Sequence, residues 1–222
     1  MKNQYFGDVN DYRKYGLLRQ LANHHKLGVC WMLTADDTRP DGEQRAYLRD
    51  EKGHRHLDPE LFDLLKQSRR RHVRRLEESG LLAATYHTDQ LKDGLDHRLR
   101  YFEKAHERLS DCDLWFFDPD NGLEVRSVTK GKRGASRYLF YDELAATFDA
   151  GKSLVVYQHN RRQTREFLKG QLSADIRSHV RVAPLFIQSP HVLFVVVTRR
   201  MREFEQQLSA IAKSWFPHWR MG

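Results

Sequence analysis

The chain has 222 residues, of which 40% are hydrophobic and 11% are aromatic. This length is typical of one domain, and this apolar content can form a sizeable core without disulfides or a structural metal. The apolar runs exclude disorder of the whole chain, and none approaches the roughly 18 residues of a membrane-spanning helix. Since residues 1–16 also lack an apolar signal core, we expect one soluble, cytoplasmic domain over 1–222 with no membrane partner.

The charge balance is basic, with 38 Lys and Arg residues against 30 Asp and Glu residues and a formal net charge of +8. Such a balance favours a polyanionic partner, RNA or DNA, over an acidic one. The two cysteines, Cys30 and Cys112, lie in apolar or strand-like stretches. We expect both to be small buried residues and not a disulfide.

Hydrophobic periodicity predicts an alternation of helices and strands along the chain. The first half contains a helix over 11–24 capped by Asp11, a strand over 29–33, a loop over 34–56 with a short strand at 46–48, and a helix from 58 to 80. The second half contains strands at 83–87, 113–117 and 153–158, helices at 96–109, 141–150 and 163–176, and a basic loop at 126–137. Strand-like segments at 180–188 and 191–198 follow, and a helix at 201–214 comes last.

This order predicts an α/β fold, a Rossmann-like three-layer sandwich with helices on both faces of a mostly parallel sheet. The last two strands are separated by only Ser189-Pro190, so they form an antiparallel hairpin. The Arg-rich helical segment at about 58–80 is interpreted as an insertion. Ligands of such sheets bind at the carboxyl ends of the strands, and candidate residues are therefore sought there.

The most informative segment follows the strand at 113–117, where Asp118, Asp120, Asn121 and Glu124 lie within seven residues. These residues are also common turn formers, and an ordinary turn is one interpretation. In a second interpretation, Asp118 and Asp120 are paired oxygen ligands for Mg²⁺ in a phosphodiesterase or nuclease. Acidic residues after the first strand, Asp36, Asp37, Asp41 and Glu43, could join them at the same sheet edge.

Two motifs resemble those of S-adenosylmethionine (SAM) dependent methyltransferases. Asp118-Pro119 is similar to the start of the Asp-Pro-Pro-Tyr motif of the amino methyltransferases, although Asp120 and Asn121 replace its second proline and its aromatic residue. Residues 7–18 resemble the first helix of the J-type large-subunit ribosomal RNA adenine methyltransferases. Asp11 and Lys14 match that pattern, while Tyr15 replaces its histidine.

The resemblance implies a class I methyltransferase fold and methylation of an exocyclic base amine. Asp118 would hold the amine and Asn121 would help to orient it. Thr34, Asp36 and Asp37, which follow the first strand, are then the cofactor-binding candidates for SAM. The loop over 34–43 has one glycine where this class has a glycine-rich turn, so the scaffold could have lost the cofactor.

Further candidates surround this edge. His159 ends the strand at 153–158 and could be a general base, a metal ligand or a simple strand end. Seven residues are candidates for substrate binding, because their charged or aromatic side chains suit nucleic acid: Tyr5, Asp11, Lys14, Lys132, Arg133, Arg161 and Arg162.

Three functions stay open from the sequence. The first is a nucleic-acid-directed methyltransferase-like enzyme that uses SAM. The second is a Mg²⁺-dependent phosphodiesterase that uses Asp118 and Asp120. The third is a non-catalytic nucleic-acid or partner-binding protein on a degenerate methyltransferase scaffold.

Overall fold

The computed structural model describes residues 1–37, 44–159, 163–215 and 217–222. Its strands are β1 (Leu27–Cys30), β2 (Ala84–His87), β3 (Leu114–Phe117), β4 (Gly122–Leu123), β5 (Tyr138–Leu139), β6 (Ser153–His159), β7 (Leu185–Gln188), β8 (Val192–Val197) and β9 (Arg220–Met221). Its helices are α1 (Val9–Ala22), α2 (Glu51–His54), α3 (Pro59–Gln67), α4 (Arg74–Ser79), α5 (Leu95–Arg108), α6 (Tyr141–Asp149), α7 (Arg165–Val180) and α8 (Met201–Ser214).

Seven strands form the central sheet in the order β2-β1-β3-β6-β8-β7-β9. β2, β1, β3 and β6 are parallel, whereas β8 runs antiparallel between β6 and β7. The predicted α/β sandwich and its closing hairpin are therefore confirmed. The two-residue strand β9, which pairs with β7, extends the sheet beyond the predicted hairpin.

The sheet separates two hydrophobic cores, as strand β3 illustrates. Leu114 and Phe116 face a core that contains residues of α1, α3 and α8, whereas Trp115 and Phe117 face a core built with α5, α6 and α7. Because β3 is covered on both faces, it is a continuous apolar run and does not alternate with polar residues. Cys30 and Cys112 are buried free thiols, as predicted.

Helix α1 begins two residues before the predicted start. Asp8, not Asp11, is its N-cap, and the Asp8 side chain accepts hydrogen bonds from the backbone N–H groups of Asn10 and Asp11. Both aspartates precede the apolar face, so the sequence alone did not distinguish them. Asp11 instead lies in the first turn, where its side chain faces the interior.

The single helix predicted over 58–80 is wrong, because the structure has two helices, α3 and α4, with residues 68–73 between them. Ser68 ends α3 in an extended conformation, and its hydroxyl donates to the carbonyl of Leu64. Both helices lie in the connection from β1 to its parallel neighbour β2, which must cross over the sheet. The predicted short strand at 46–48 is also wrong, since Ala46–Arg49 is a 3-10 helix.

α5 and α6 lie within one residue of their predicted bounds, and α8 matches its prediction residue for residue. α7 continues four residues beyond its predicted end, and the short helix α2 lies where a loop was predicted. Leu99 of α5 is 58% exposed. None of the described helices combines the length and the apolar character needed to cross a membrane.

Candidate functional site

The topology of the sheet defines a crevice between β1 and β3. The chain leaves β1 toward β2 on one side and returns to β3 on the other, and ligands of such sheets bind where the direction changes. In this protein, residues 1–4 lie in that crevice. The amino group of Met1 donates to the carbonyls of Met32 (3.2 Å) and Asp118 (2.7 Å), and the carbonyl of Met1 accepts from the N–H of Thr34 (2.9 Å).

The predicted cofactor residues after β1 contact this same segment. Asp36 accepts a hydrogen bond from the backbone N–H of Gln4 (3.1 Å), and Asp37 accepts from the Gln4 side chain (3.1 Å) and from the Lys2 ammonium group. The Thr34 hydroxyl donates to Oδ2 of Asp120 (2.7 Å). The other two acidic residues of the predicted loop, at 41 and 43, lie outside the described residues.

A buried ion pair joins α1 to the turn after β3. The Nζ atom of Lys14 lies 2.6 Å from Oδ2 of Asp118 and 2.7 Å from Oδ1 of Asp11. Lys14 and Asp118 are each 2% exposed. Aromatic rings surround the ammonium group, with centroids 5.1 to 5.8 Å from Nζ: Tyr15, Trp31 and Tyr157.

The pKa shifts follow from this geometry. Burial by itself would lower the pKa of Lys14, but the carboxylates of Asp11 and Asp118 outweigh it and hold the pKa above its ordinary value. Burial raises the pKa of Asp118, and the Lys14 ammonium group opposes that rise. Lys14 is therefore a permanent cation, which fixes the position and charge of the carboxylate that follows β3.

Asp120 has a different set of partners. The amino group of Met1 forms an ion pair with its Oδ1 at 2.9 Å, while the Thr34 hydroxyl binds Oδ2. Burial alone would raise the pKa of Asp120, but the positive charge of the Met1 amino group and the hydrogen bond from Thr34 hold it below its ordinary value. Asp118 and Asp120 are thus each held by an ammonium group, and the two ammonium groups come from different segments.

Beside these pairs lies a pocket of about 390 Å³. Its wall includes seven residues predicted from the sequence: Tyr5, Asp11, Lys14, Asp118, Asp120, Asn121 and His159. It also includes residues that the sequence analysis did not single out: Met1, Lys2, Asp8, Asn10, Gln44, Pro119, Arg137 and Tyr157. Burial and the neighbouring charge of Asp11 raise the pKa of Asp8 to about 7.

The turn after β3 is positioned by Gln158, a fully buried residue of β6. Its Oε1 accepts from the N–H of Leu123 (2.9 Å), and its Nε2 donates to the carbonyl of Asn121 (3.2 Å). Gly122 between them has a φ of +97°, and a Cβ there would lie 2.4 Å from Oε1 of Gln158. Only glycine allows this close approach of turn and side chain. Gln158 is the last residue of the predicted strand at 153–158. Its position at the carboxyl end of that strand was the signal that could have identified it as a site residue.

Only some of the cations in the predicted basic loop over 126–137 line the pocket. Lys132 and Arg133 are exposed, and Lys132 lines a separate cavity of about 270 Å³ with residues 94–97. Arg137, at the end of the loop, does line the pocket. The predicted substrate-binding residues Arg161 and Arg162 lie outside the described residues.

A second buried cation anchors this loop. The Arg98 guanidinium group, on α5, binds both carboxylate oxygens of Glu143 and donates to the carbonyls of Ala135 (2.9 Å) and Tyr138 (2.6 Å). Asp93 accepts from the backbone N–H groups of Gly134 and Ser136. The end of the loop therefore has a defined position relative to α5 and α6.

The arrangement does not fit either predicted cofactor. For SAM, the polar groups of Thr34, Asp36 and Asp37 are hydrogen-bonded to residues 1–4 and to Asp120. For Mg²⁺, both carboxylates of the Asp118 and Asp120 pair are engaged by ammonium groups. In the part of the chain that the structure describes, no group of three or more His, Cys, Asp or Glu side chains is arranged to hold a metal ion.

No family model matches the chain, and no curated protein matches it.

Proposed function

We propose that this protein binds nucleic acid on a methyltransferase-like scaffold and receives one nucleobase in the pocket between α1 and the turn after β3. The observation that carries the proposal is the Asp118 carboxylate, which Lys14 holds at the pocket wall beside Asn121. This function corresponds to the third of the hypotheses that the sequence leaves open.

The chemistry of the pocket supports a nucleobase as its occupant. A carboxylate accepts a hydrogen bond from an exocyclic amine, and an amide both donates and accepts, as the edges of bases require. Tyr5 and Tyr157 lie in the same wall and offer aromatic surface on which a base can stack. A volume of about 390 Å³ is within the range of small-ligand pockets. We therefore expect adenine and cytosine, which carry an amine, to bind better than uracil.

The distribution of charge supports a polyanionic partner. The net charge is +8, and exposed cations are present on the connection between α3 and α4, on the first turn of α4 and on the loop after β4. They are Arg69, Arg70, Arg74, Arg75, Lys132 and Arg133. Cations of this kind bind phosphates without regard to sequence, so the base preference has to come from the pocket.

The test is fluorescence anisotropy with labelled 12-residue oligomers of A, C and U as RNA and as DNA. We expect binding that weakens as salt rises, with A and C preferred over U by about tenfold. Asn121→Ala should reduce that preference with little loss of overall affinity, while Lys104→Gln, on the exposed face of α5, should change neither. Absence of binding, or equal affinity for all three bases, would contradict the proposal.

A methyltransferase activity is the second candidate, and one observation favours it. Antiparallel β8 lies between β6 and β7, which are parallel to each other. An antiparallel strand inserted at this place in a parallel sheet is the strand order of the class I methyltransferase fold. The hydrogen bonds of residues 1–4 to the predicted cofactor residues oppose it. Calorimetric titration of SAM into the protein separates the two candidates. We expect no heat of binding, and a saturable SAM isotherm would favour methyl transfer.

A further inference from the structure

Arg13, on α1, is a buried cation whose hydrogen bonds are incomplete. The residue is 9% exposed, and its Nε and Nη1 atoms are buried with no hydrogen-bond partner among the described residues. A guanidinium group stays charged at every pH at which the protein is folded. An unpaired buried charge costs several kcal/mol, so its retention calls for an anionic partner.

Other groups that can carry positive charge converge on Arg13 from two further segments. His54 ends α2, and His218 follows Trp215 in a turn held by a hydrogen bond between the His218 N–H and the Trp215 carbonyl (2.7 Å). The two imidazole rings lie 5.1 Å apart. Trp215 in turn packs on Tyr12, the neighbour of Arg13 in α1, with ring centroids 5.2 Å apart. The Tyr12 hydroxyl also donates to the His54 carbonyl (2.8 Å), and the charge of Arg13 acts on His218, so basic groups of three segments lie near one another.

Among the described residues, two carboxyl groups act on this cluster. Asp8 is the carboxyl group that attracts Arg13, but the pKa of Asp8 is about 7, so it is partly protonated at neutral pH. Asp50 lies 3.5 Å from Nδ1 of His54, and its side chain is 61% exposed. Burial, Arg13 and His54 together lower the pKa of His218 to about 4, as expected where positive potential is in excess.

We propose that Arg13, His54 and His218 form a binding site for a phosphoryl group, separate from the nucleobase pocket. The oxygens of phosphate accept hydrogen bonds from both guanidinium and imidazole donors, and a doubly charged anion would neutralise the cluster. The unpartnered nitrogens of Arg13 are covered, so the anion enters when a covering side chain moves. His54 and His218 are both partly exposed, and His218 lies in a short turn.

The first test is thermal unfolding of the full chain in sodium phosphate against sodium chloride at equal ionic strength. We expect phosphate to raise Tm in a saturable manner, by about 3–6 °C at tenfold excess over its Kd. His218→Ala should lose at least half of that rise, and Arg13→Met should lose all of it. His24→Ala, an exposed histidine elsewhere, should keep the full rise. Equal curves in phosphate and chloride, or an equal rise in all variants, would overturn the site.

A spectroscopic readout distinguishes binding from a structural role. The pKa of His218, followed by NMR, should rise from about 4 when phosphate is saturating, because the bound anion stabilises the imidazolium form. The charged groups that act on His218 are Arg13, His54 and His56. The His218 ring also donates to the Gly53 carbonyl, and Asp50 lies beside His54. A His218 pKa that does not move with phosphate would also overturn the site.

The source of the phosphoryl group is decided by competition. If a 12-residue RNA displaces phosphate from the wild-type protein, the site holds a phosphate of nucleic acid. If RNA binds without displacing phosphate, the site serves a small phosphorylated molecule. Should no oligomer bind while phosphate still raises Tm through Arg13 and His218, the proposed nucleic-acid function fails and the phosphoryl site stands.

Discussion

Arg98 and Arg13 are both buried guanidinium groups on helices, and their surroundings are opposite. Arg98 is 1% exposed and binds the Glu143 carboxylate and two backbone carbonyls, and its guanidinium carbon lies 4.6 Å from the Phe140 ring centroid. Arg13 is 9% exposed and has two nitrogens without a partner among the described residues. Arg98 is thus fully paired within the fold, whereas Arg13 is incompletely paired among the described residues. We therefore expect Arg98 to maintain the structure and Arg13 to serve the proposed phosphoryl group.

The largest effect is expected at Lys14, a third buried cation, because it is paired with two carboxylates. Lys14→Met leaves Asp11 and Asp118 close together with no counter-charge. The free energy of unfolding should fall by about 5 kcal/mol at pH 8. The loss should be smaller at pH 5, since the unpaired carboxyl groups then take up protons. Urea unfolding at the two pH values measures this, and an equal loss at both would contradict the explanation.

Arg98→Met should cost about 4 kcal/mol, because it removes the bidentate partner of the buried Glu143 carboxylate and leaves it with Lys130 (3.1 Å) as its remaining cation. Arg98→Lys is the matched control. It keeps the charge but not the two parallel hydrogen bonds, and it should recover about half of the loss. Chemical denaturation followed by circular dichroism measures both variants. A loss below about 1 kcal/mol for Arg98→Met would show that this arginine is not a structural anchor.

The pH dependence of stability shows whether Asp8 is a permanent counter-charge of Arg13. The pKa of Asp8 is about 7 in the folded protein against an ordinary value of 3.8, so the folded protein binds a proton that the unfolded chain releases. Proton binding by Asp8 stabilises the fold fully below about pH 4, and this stabilisation is lost as the pH rises through 7. Asp8→Asn keeps the helix cap and removes the titration.

The stability of the wild type should therefore fall relative to Asp8→Asn between pH 4 and pH 7, by no more than about 4 kcal/mol at about 1.4 kcal/mol per pKa unit. The comparison needs urea unfolding curves of both proteins at pH 4.5, 5.5, 6.5 and 7.5. Parallel profiles would mean that Asp8 is ionised throughout and balances Arg13.

The smallest effect on stability is expected for Arg13→Met, the same substitution as at Arg98. It removes an incompletely paired charge and orphans no buried partner, so stability should fall by less than about 1 kcal/mol or rise. Measuring the two methionine variants side by side gives the sharpest form of the comparison. A loss at Arg13 as large as the loss at Arg98 would mean that Arg13 is structural.

The sequence predicted β3, β6 and β8 well because these strands are largely continuous apolar runs. β1 begins two residues before its predicted start, and β7 begins five residues after its predicted start because α7 continues to Val180. The run at 114–117 fixed the place of β3, and Asp118 followed from it directly. The helix predicted over 58–80 failed because apolar spacing continues across Ser68, where a side-chain hydrogen bond ends α3. The two residues of β9 are too few to produce a pattern.

The candidate site was predicted in part for the same reason. Residues that follow a strand, such as Asp118 and Asn121, are placed by the sheet itself, and they line the pocket. Lys132 and Arg133 were placed by their closeness in sequence to that turn, and the loop carries them away from it. Gln158 was missed although it is the last residue of the predicted strand, and Asp8 was missed because Asp11 was an equally plausible cap.

The hydrogen bonds that build the pocket also bear on the order of folding. Asp118 is held by Lys14 across 104 residues, and the turn at 121–123 is held by Gln158 across 35 residues. Contacts of such separation form only after long loops have closed, so they come late in folding. A chain with β1 to β3 assembled but β6 undocked would have a stable partial sheet and an unformed pocket. The pocket is therefore complete only when all of these segments have folded together.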